Sequence, residues 1–146
     1  MTKAITKEKG DTGLIQVIAD LDRKGIKVAL PISEHLPFDL IAISANGKLA
    51  RLSVKYVGLV NGSIVIPLRS ISTNTQGWKA KTIDFSDIDA IAVYCPENQN
   101  CYYIKSSFAK DFKSGISLRI EKAKRKGKFN IAADYLTADI FNDTLI

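Results

Sequence analysis

The stretch that decides the fold is Pro37-Phe38-Asp39-Leu40-Ile41-Ala42-Ile43, followed across Asn46-Gly47 by Lys48-Leu49-Ala50-Arg51-Leu52-Ser53-Val54-Lys55-Tyr56. Asp39 opens an apolar run, Leu40 to Ile43, of the length and composition of a buried strand. Asn-Gly favours the positive φ angles of a tight turn, so Asn46-Gly47 marks a hairpin. From Lys48 to Tyr56 the chain alternates. Leu49, Arg51, Ser53 and Lys55 fall on one face, and Ala50, Leu52, Val54 and Tyr56 on the other. Turning back at Asn46-Gly47 brings Ser53 and Lys55 alongside Asp39 at the far end of the hairpin. An acid and a lysine meeting on a rigid sheet suit a site that holds a metal ion and activates a water.

Composition bounds what surrounds this hairpin. A length of 146 residues with 46% hydrophobic content is one globular domain, residues 1–146, with enough apolar side chains for a core. No run reaches the length of a membrane span, and Met1 to Lys9 is polar with no signal-peptide apolar segment. The expectation is a cytoplasmic protein with no membrane partner. A formal charge of +6 leans toward a polyanionic partner. Cys95 and Cys101, with His35 the single histidine, match no zinc spacing and are expected to be reduced thiols.

Outward from the hairpin, Leu14, Val17, Ile18 and Leu21 recur at helical spacing. Asp11 or Thr12 is expected to cap this helix and Gly25 to stop it, with Thr2 to Lys9 a frayed arm. Ile26 to Leu30 reads as a first strand, the Asp39 and Lys55 strands follow, and Asn61-Gly62 turns into a fourth, Ser63 to Leu68. Ser70 to Lys81 reads as a polar loop, Ile88 to Tyr94 as a strongly apolar strand, and Tyr102 to Lys105 as its return. Ser106 to Phe112 suggests a short helix, Ile116 to Ile120 a strand, and Asn130 to Asn142 a last helix. The fold class is therefore α/β, a mixed sheet of about five strands flanked by helices.

The order Lys9-Gly10-Asp11-Thr12-Gly13, amphipathic helix, Arg23-Lys24-Gly25, Leu30-Pro31-Ile32-Ser33, Phe38-Asp39-Leu40, Asp87-Ile88-Asp89, and Val93-Tyr94-Cys95-Pro96-Glu97 through Cys101-Tyr102-Tyr103-Ile104 resembles the small single-domain PD-(D/E)XK nucleases, a group that includes homing endonucleases. The resemblance runs from Lys9 to Tyr135. It implies a site-specific double-stranded DNA endonuclease that uses Mg2+ or another divalent cation and acts as a homo-oligomer, a dimer or tetramer. It implies Asp39 as a metal ligand, the Val54 carbonyl as a second ligand, and Lys55 as the group that orients or activates the attacking water. Two positions depart from the pattern. Leu14 stands where related sequences have Glu, and Ser53 where they have Glu or Gln. These departures imply a weakened metal site, for which Asp11, one turn before Leu14, is a substitute ligand. The alternative is a catalytically inactive DNA-binding protein on the same fold. Read without the resemblance, Asp39 is a strand-entry aspartate making a turn hydrogen bond.

Three stretches are candidates for DNA contact. Strands from Lys48 through Arg51 and from Ser63 to Arg69 form a ribbon suited to a major groove, with Arg51 and Arg69 toward base edges. Ser72, Asn74 and Gln76 offer hydroxyls and amides, and Trp78, Lys79 and Lys81 add a stacking face and charge. Lys124, Arg125 and Lys126 lie in a basic run suited to phosphates, and His35 is a loop histidine suited to a phosphate contact. The last helix or the Tyr94 to Tyr103 hairpin is expected to supply the oligomer interface.

Overall fold

The structure, a computed structural model, describes residues 2–74, 77–120 and 129–141. In chain order the elements are helix α1 (Thr2–Arg23), strands β1 (Lys27–Ala29), β2 (Leu40–Ile43), β3 (Leu49–Tyr56), β4 (Leu59–Val60), β5 (Ser63–Pro67), β6 (Arg69–Asn74), β7 (Gly77–Thr82), β8 (Ala90–Cys95) and β9 (Asn100–Lys105). Helix α2 (Ser106–Ala109), β10 (Gly115–Arg119), β11 (Asn130–Ile131) and a 3-10 turn at Ala132–Tyr135 complete it. The central sheet is five-stranded and mixed, in the order β1-β2-β3-β8-β9, with β3 and β8 parallel and the other pairs antiparallel. This is the α/β mixed sheet expected from the sequence.

The alternation of β3 decides which layer covers each face. Ala50 and Leu52 join Val17 and Leu21 of α1, Leu40 and Ala42 of β2, and Ala90, Ala92, Cys101 and Tyr103 in one buried cluster. The alanines on this face leave room for the helix to lie close, and Gly13 brings its backbone against Val54 and Tyr56. On the other face Ile91, Val93, Cys95, Tyr102 and Ile104 pack with Ile64, Ile66, Ile116 and Leu118 of a second sheet, ordered β11-β10-β5-β4. Strand β8 is buried along its whole length, because it lies between the two layers. Helix α1 ends in the αL cap that Gly25 permits: its φ is 76°, and Gly25 and Ile26 return hydrogen bonds to Asp22 and Leu21. Asp20 accepts hydrogen bonds from the Tyr103 hydroxyl at 2.6 Å and from Lys24 at 2.6 Å, which ties the helix to β9.

Several sequence expectations change. Helix α1 begins at Thr2, not at a cap on Asp11 or Thr12. Residues 5–12 are exposed, so the apolar periodicity marks where the helix meets the sheet rather than where it starts. Ser70 to Lys81 is not a loop but most of an antiparallel ribbon, β6-β7, with Arg69 opposite Thr82 and Asn74 opposite Gly77. Its Ser, Thr, Asn and Lys residues show no apolar alternation from which to read a strand. The strands holding Arg51 and Ser63 to Pro67 do not form a ribbon, since β3 lies in the central sheet and β5 in the second. Asn130 to Asn142 is not a helix: the described part holds β11 and one 3-10 turn. Tyr94, Tyr102 and Tyr103 are buried in the core.

Cys95 and Cys101 sit on opposite faces of the β8-β9 pair and are free. Burial raises the Cys95 thiol and pushes Cys101 up to about 12. A thiol reagent at neutral pH is expected to modify neither in the native protein and both after denaturation; fast labelling of native Cys101 contradicts this packing.

Candidate active site

Strand β2 starts one residue after Asp39, and β3 runs antiparallel to it with Leu40 opposite Leu52. Continued one step, this register sets Asp39 opposite Ser53. The Asp39 N–H donates to the Leu52 carbonyl at 2.8 Å, and the Asp39 carboxylate accepts the Val54 N–H at 2.7 Å. The strand-entry hydrogen bond and the candidate ligand are thus the same side chain. In an extended strand a residue's N–H and C=O leave by the same edge. The Val54 carbonyl therefore shares the edge on which Val54 meets Asp39.

Lys55 lies two residues beyond Ser53 on the same face and is half-buried. Burial lowers its pKa, and the Asp39 charge partly offsets this. The two groups that the turn at Asn46-Gly47 was expected to join are electrostatically coupled. Ser53 and Lys55 open into a cavity of about 240 Å3, lined also by Pro37, Arg69, Lys81, Thr82, Asp84 and Asp87. Arg69 and Lys81 belong to the foot of the β6-β7 ribbon, so the ribbon rises from the rim of this cavity.

The other sequence candidates are spread out. Leu14 packs into the helix-side cluster beside Val54 and Tyr56. Asp11 is exposed on α1 and does not line the cavity. Lys48 is exposed at the end of the first hairpin turn, its N–H on Ser44 Oγ at 2.9 Å. Arg51 is held by Asp89, with Nε to Oδ2 at 3.1 Å and Nη2 to Oδ1 at 3.2 Å. Ser72, Asn74, Trp78 and Lys79 lie on the ribbon. Gln76 and the run of Lys124, Arg125 and Lys126 fall outside the described residues. His35 is exposed in the loop before Pro37.

Asp89 is the residue whose part the sequence reading left unassigned. Burial pushes its carboxyl up, but hydrogen bonds from the Arg51 guanidinium and N–H outweigh this and hold it below the usual carboxylate range. A signal for it exists in the chain. Asp89-Ala90-Ile91-Ala92-Val93 repeats the pattern of Asp39-Leu40-Ile41-Ala42-Ile43, an aspartate opening an apolar strand.

Among the described residues no three His, Cys, Asp or Glu side chains form a group able to hold a metal ion. Protein oxygens on offer include the Asp39 carboxylate, the Val54 carbonyl and the Ser53 hydroxyl, and Asp84 and Asp87 also line the cavity. Mg2+ keeps several waters and takes one or two carboxylates plus substrate phosphates. The donor set fits such an ion as a sparse site.

A strand-entry carboxylate and a half-buried lysine thus lie side by side at one end of β3. The chain belongs to the PD-(D/E)XK endonuclease family, whose sequence model matches residues 4–138. A solved bacterial homing endonuclease, I-Ssp6803I, shares the fold with a TM-score of 0.72 and 24% identity, over 89% of this chain and 87% of that one. No curated protein gives a significant match.

Lys55 puts the site in tension with stability. Its folded pKa is depressed below the ordinary 10.5, so the unfolded chain binds this proton more tightly. The penalty is full below the folded pKa and disappears as pH rises through the unfolded value. Lys55→Met is expected to raise the urea midpoint at pH 7, with the gain shrinking toward pH 10.5. A gain that does not change with pH contradicts this account.

Proposed function

We propose that the protein is a site-specific endonuclease of the homing type that hydrolyses phosphodiesters of double-stranded DNA with a divalent cation, Mg2+ first, held more weakly than the fold allows. The supporting observation is the convergence of Asp39, Val54 and Lys55 at one end of β3, beside a cavity lined by Arg69, Lys81, Asp84 and Asp87. Asp39 and the Val54 carbonyl would hold the ion. When bound, it supplies charge neutralisation at the phosphate and a more acidic water.

The chain's own groups do the rest. The lowered pKa of Lys55 makes its neutral amine more accessible, so Nζ can take a proton from the attacking water and return as a cation beside the phosphate charge. The Val54 N–H fixes the Asp39 carboxylate before substrate arrives. Arg69 and Lys81 on the cavity rim, with Lys48, Ser72, Asn74, Gln76, Trp78 and Lys79 and the basic run of Lys124, Arg125 and Lys126, serve DNA binding. One chain carries one site and a double-strand cut needs two, so a homo-oligomer, a dimer or tetramer, follows. The likeness in fold to a homing endonuclease supports the same reading.

The second reading is a DNA-binding protein that does not cut. The observation that favours it is the short donor set: Ser53 offers a hydroxyl and Leu14 a hydrocarbon where the family pattern has acids or an amide. Asp11, exposed on α1, stands as the substitute ligand to be tested.

Plasmid nicking with Mg2+ separates the readings. Measurable nicking is expected from the purified protein. Asp39→Ala is expected to abolish it, and Lys55→Ala to slow it about 10^2- to 10^4-fold. The double variant Leu14→Glu, Ser53→Gln is expected to raise it about 10- to 100-fold. DNA retention without nicking by wild type or the restored variant, with any divalent ion, favours the binding reading.

A further inference from the structure

The Asp87-Ile88-Asp89 motif and Arg51 are not used by the chemistry above, and their geometry is specific. Asp89 binds Arg51 three times: Oδ2 accepts the Arg51 backbone N–H at 2.7 Å and Nε at 3.1 Å, and Oδ1 accepts Nη2 at 3.2 Å. Nη2 also donates to the Ser86 carbonyl at 3.2 Å. The Asp89 N–H returns a bond to the Arg51 carbonyl at 2.8 Å. A guanidinium has five N–H donors. The single Nε hydrogen and both Nη2 hydrogens are taken, which leaves the two on Nη1, and no described residue is bonded to them. Yet the Arg51 side chain is 39% exposed, on the strand face of Ser53 and Lys55.

Arg51 lines a second cavity of about 380 Å3, together with Phe85, Ser86, Asp89, Ser107 and Lys110. Ile88 lines both this cavity and the one over Lys55, so the two adjoin. Reading a guanine edge takes two forked donors. Arg51 can offer only one terminal nitrogen, which suits a phosphate oxygen. The acids facing this guanidinium are Asp89, which holds it, and Asp87, which adds to its field.

We propose that the cavity between Arg51 and Lys110 is a phosphate subsite for the DNA strand that crosses the catalytic edge, with Asp89 a positioning residue that presents Arg51 Nη1. The proposal rests on the nuclease reading and assigns Arg51 to the backbone instead of base edges. Asp89 fixes the arginine rotamer in advance, so no side-chain freedom is lost when DNA binds.

The test is anisotropy of a fluorescein-labelled random-sequence duplex over a potassium chloride series without divalent metal. Each phosphate contact contributes about 0.9 to the slope of log K against log salt. Arg51→Ala and Lys110→Ala are each expected to lower the slope by about that amount. The sign for Asp89→Asn is the diagnostic readout. Removing a negative charge near DNA ordinarily tightens binding, but here it is expected to weaken it, with no further loss in the Asp89→Asn, Arg51→Ala double variant. Ser107→Asp leaves the Arg51 clamp intact and is expected to weaken binding at an unchanged melting temperature, which covers any folding defect in the clamp variants. Unchanged slopes in Arg51→Ala and Lys110→Ala, or tighter binding by Asp89→Asn, overturn the subsite while leaving the nuclease reading in place. Wild-type protein with no salt-dependent affinity for the duplex overturns both.

Discussion

Strand β3 is held from both sides by aspartates that stand just before the neighbouring strands. Asp39 bonds to it through its own N–H to Leu52 and through its carboxylate to the Val54 N–H. Asp89 does the same on the other side, through its N–H to the Arg51 carbonyl and its carboxylate to the Arg51 N–H. A strand end needs partners for its backbone groups, and an ionised acceptor is a stronger partner than a neutral one. The two carboxylates satisfy this need and also lock the register. A slip of one residue would carry Lys55 to the helix side of the sheet and replace it with an apolar neighbour. The cavity, the lysine's environment and the division of the core into two clusters all rely on that register being unique.

The same strand carries a group that the fold does not favour. An ammonium taken partly out of water is a cost, and Asp39 relieves only part of it. A lysine on a half-buried sheet face is more simply replaced by an apolar residue of similar length. Lys55 instead borders a cavity that Arg69, Lys81, Asp84 and Asp87 also line, so its ammonium has polar neighbours there. Leu14 runs the other way, since it adds apolar contact to the helix-side cluster.

The hairpin, the faces of β3, the buried central strand β8 and the Gly25 cap were legible, because each follows from a strict local rule. Alternation places Ser53 and Lys55 together, and an unbroken apolar run means burial on both faces. What was not legible lacked such a rule. Residues 5–12 of α1 have no apolar stripe, because they are exposed and meet nothing that would require one. The β6-β7 ribbon is stabilised by its own ladder and shows no apolar pattern in its residues. Asn130 to Asn142 has helix-like spacing at Ile131 and Tyr135, yet Asn130 and Ile131 instead pair with Leu118 and Arg119 as a parallel edge strand. At the site, Asp39 and Lys55 could be placed from turn geometry, whereas the Arg51-Asp89 bond spans 38 positions of sequence, and the aspartate-and-apolar-run pattern marks Asp89 without indicating its partner.

That separation has a kinetic meaning. The β3-β8 pair joins Leu52 to Ala90, and β4, β5, β6 and β7 all lie within the loop that the pairing closes. The hairpins β2-β3, β6-β7 and β8-β9 are local and have little entropy to overcome, whereas the parallel junction is non-local and slower. The expected sequence of events has the acid and lysine meeting early, in a small hairpin still exposed to water. Lys55 then loses its hydration late, when the second half of the chain docks along β3. In a nascent chain the acid and the lysine therefore meet before the lysine is taken out of water.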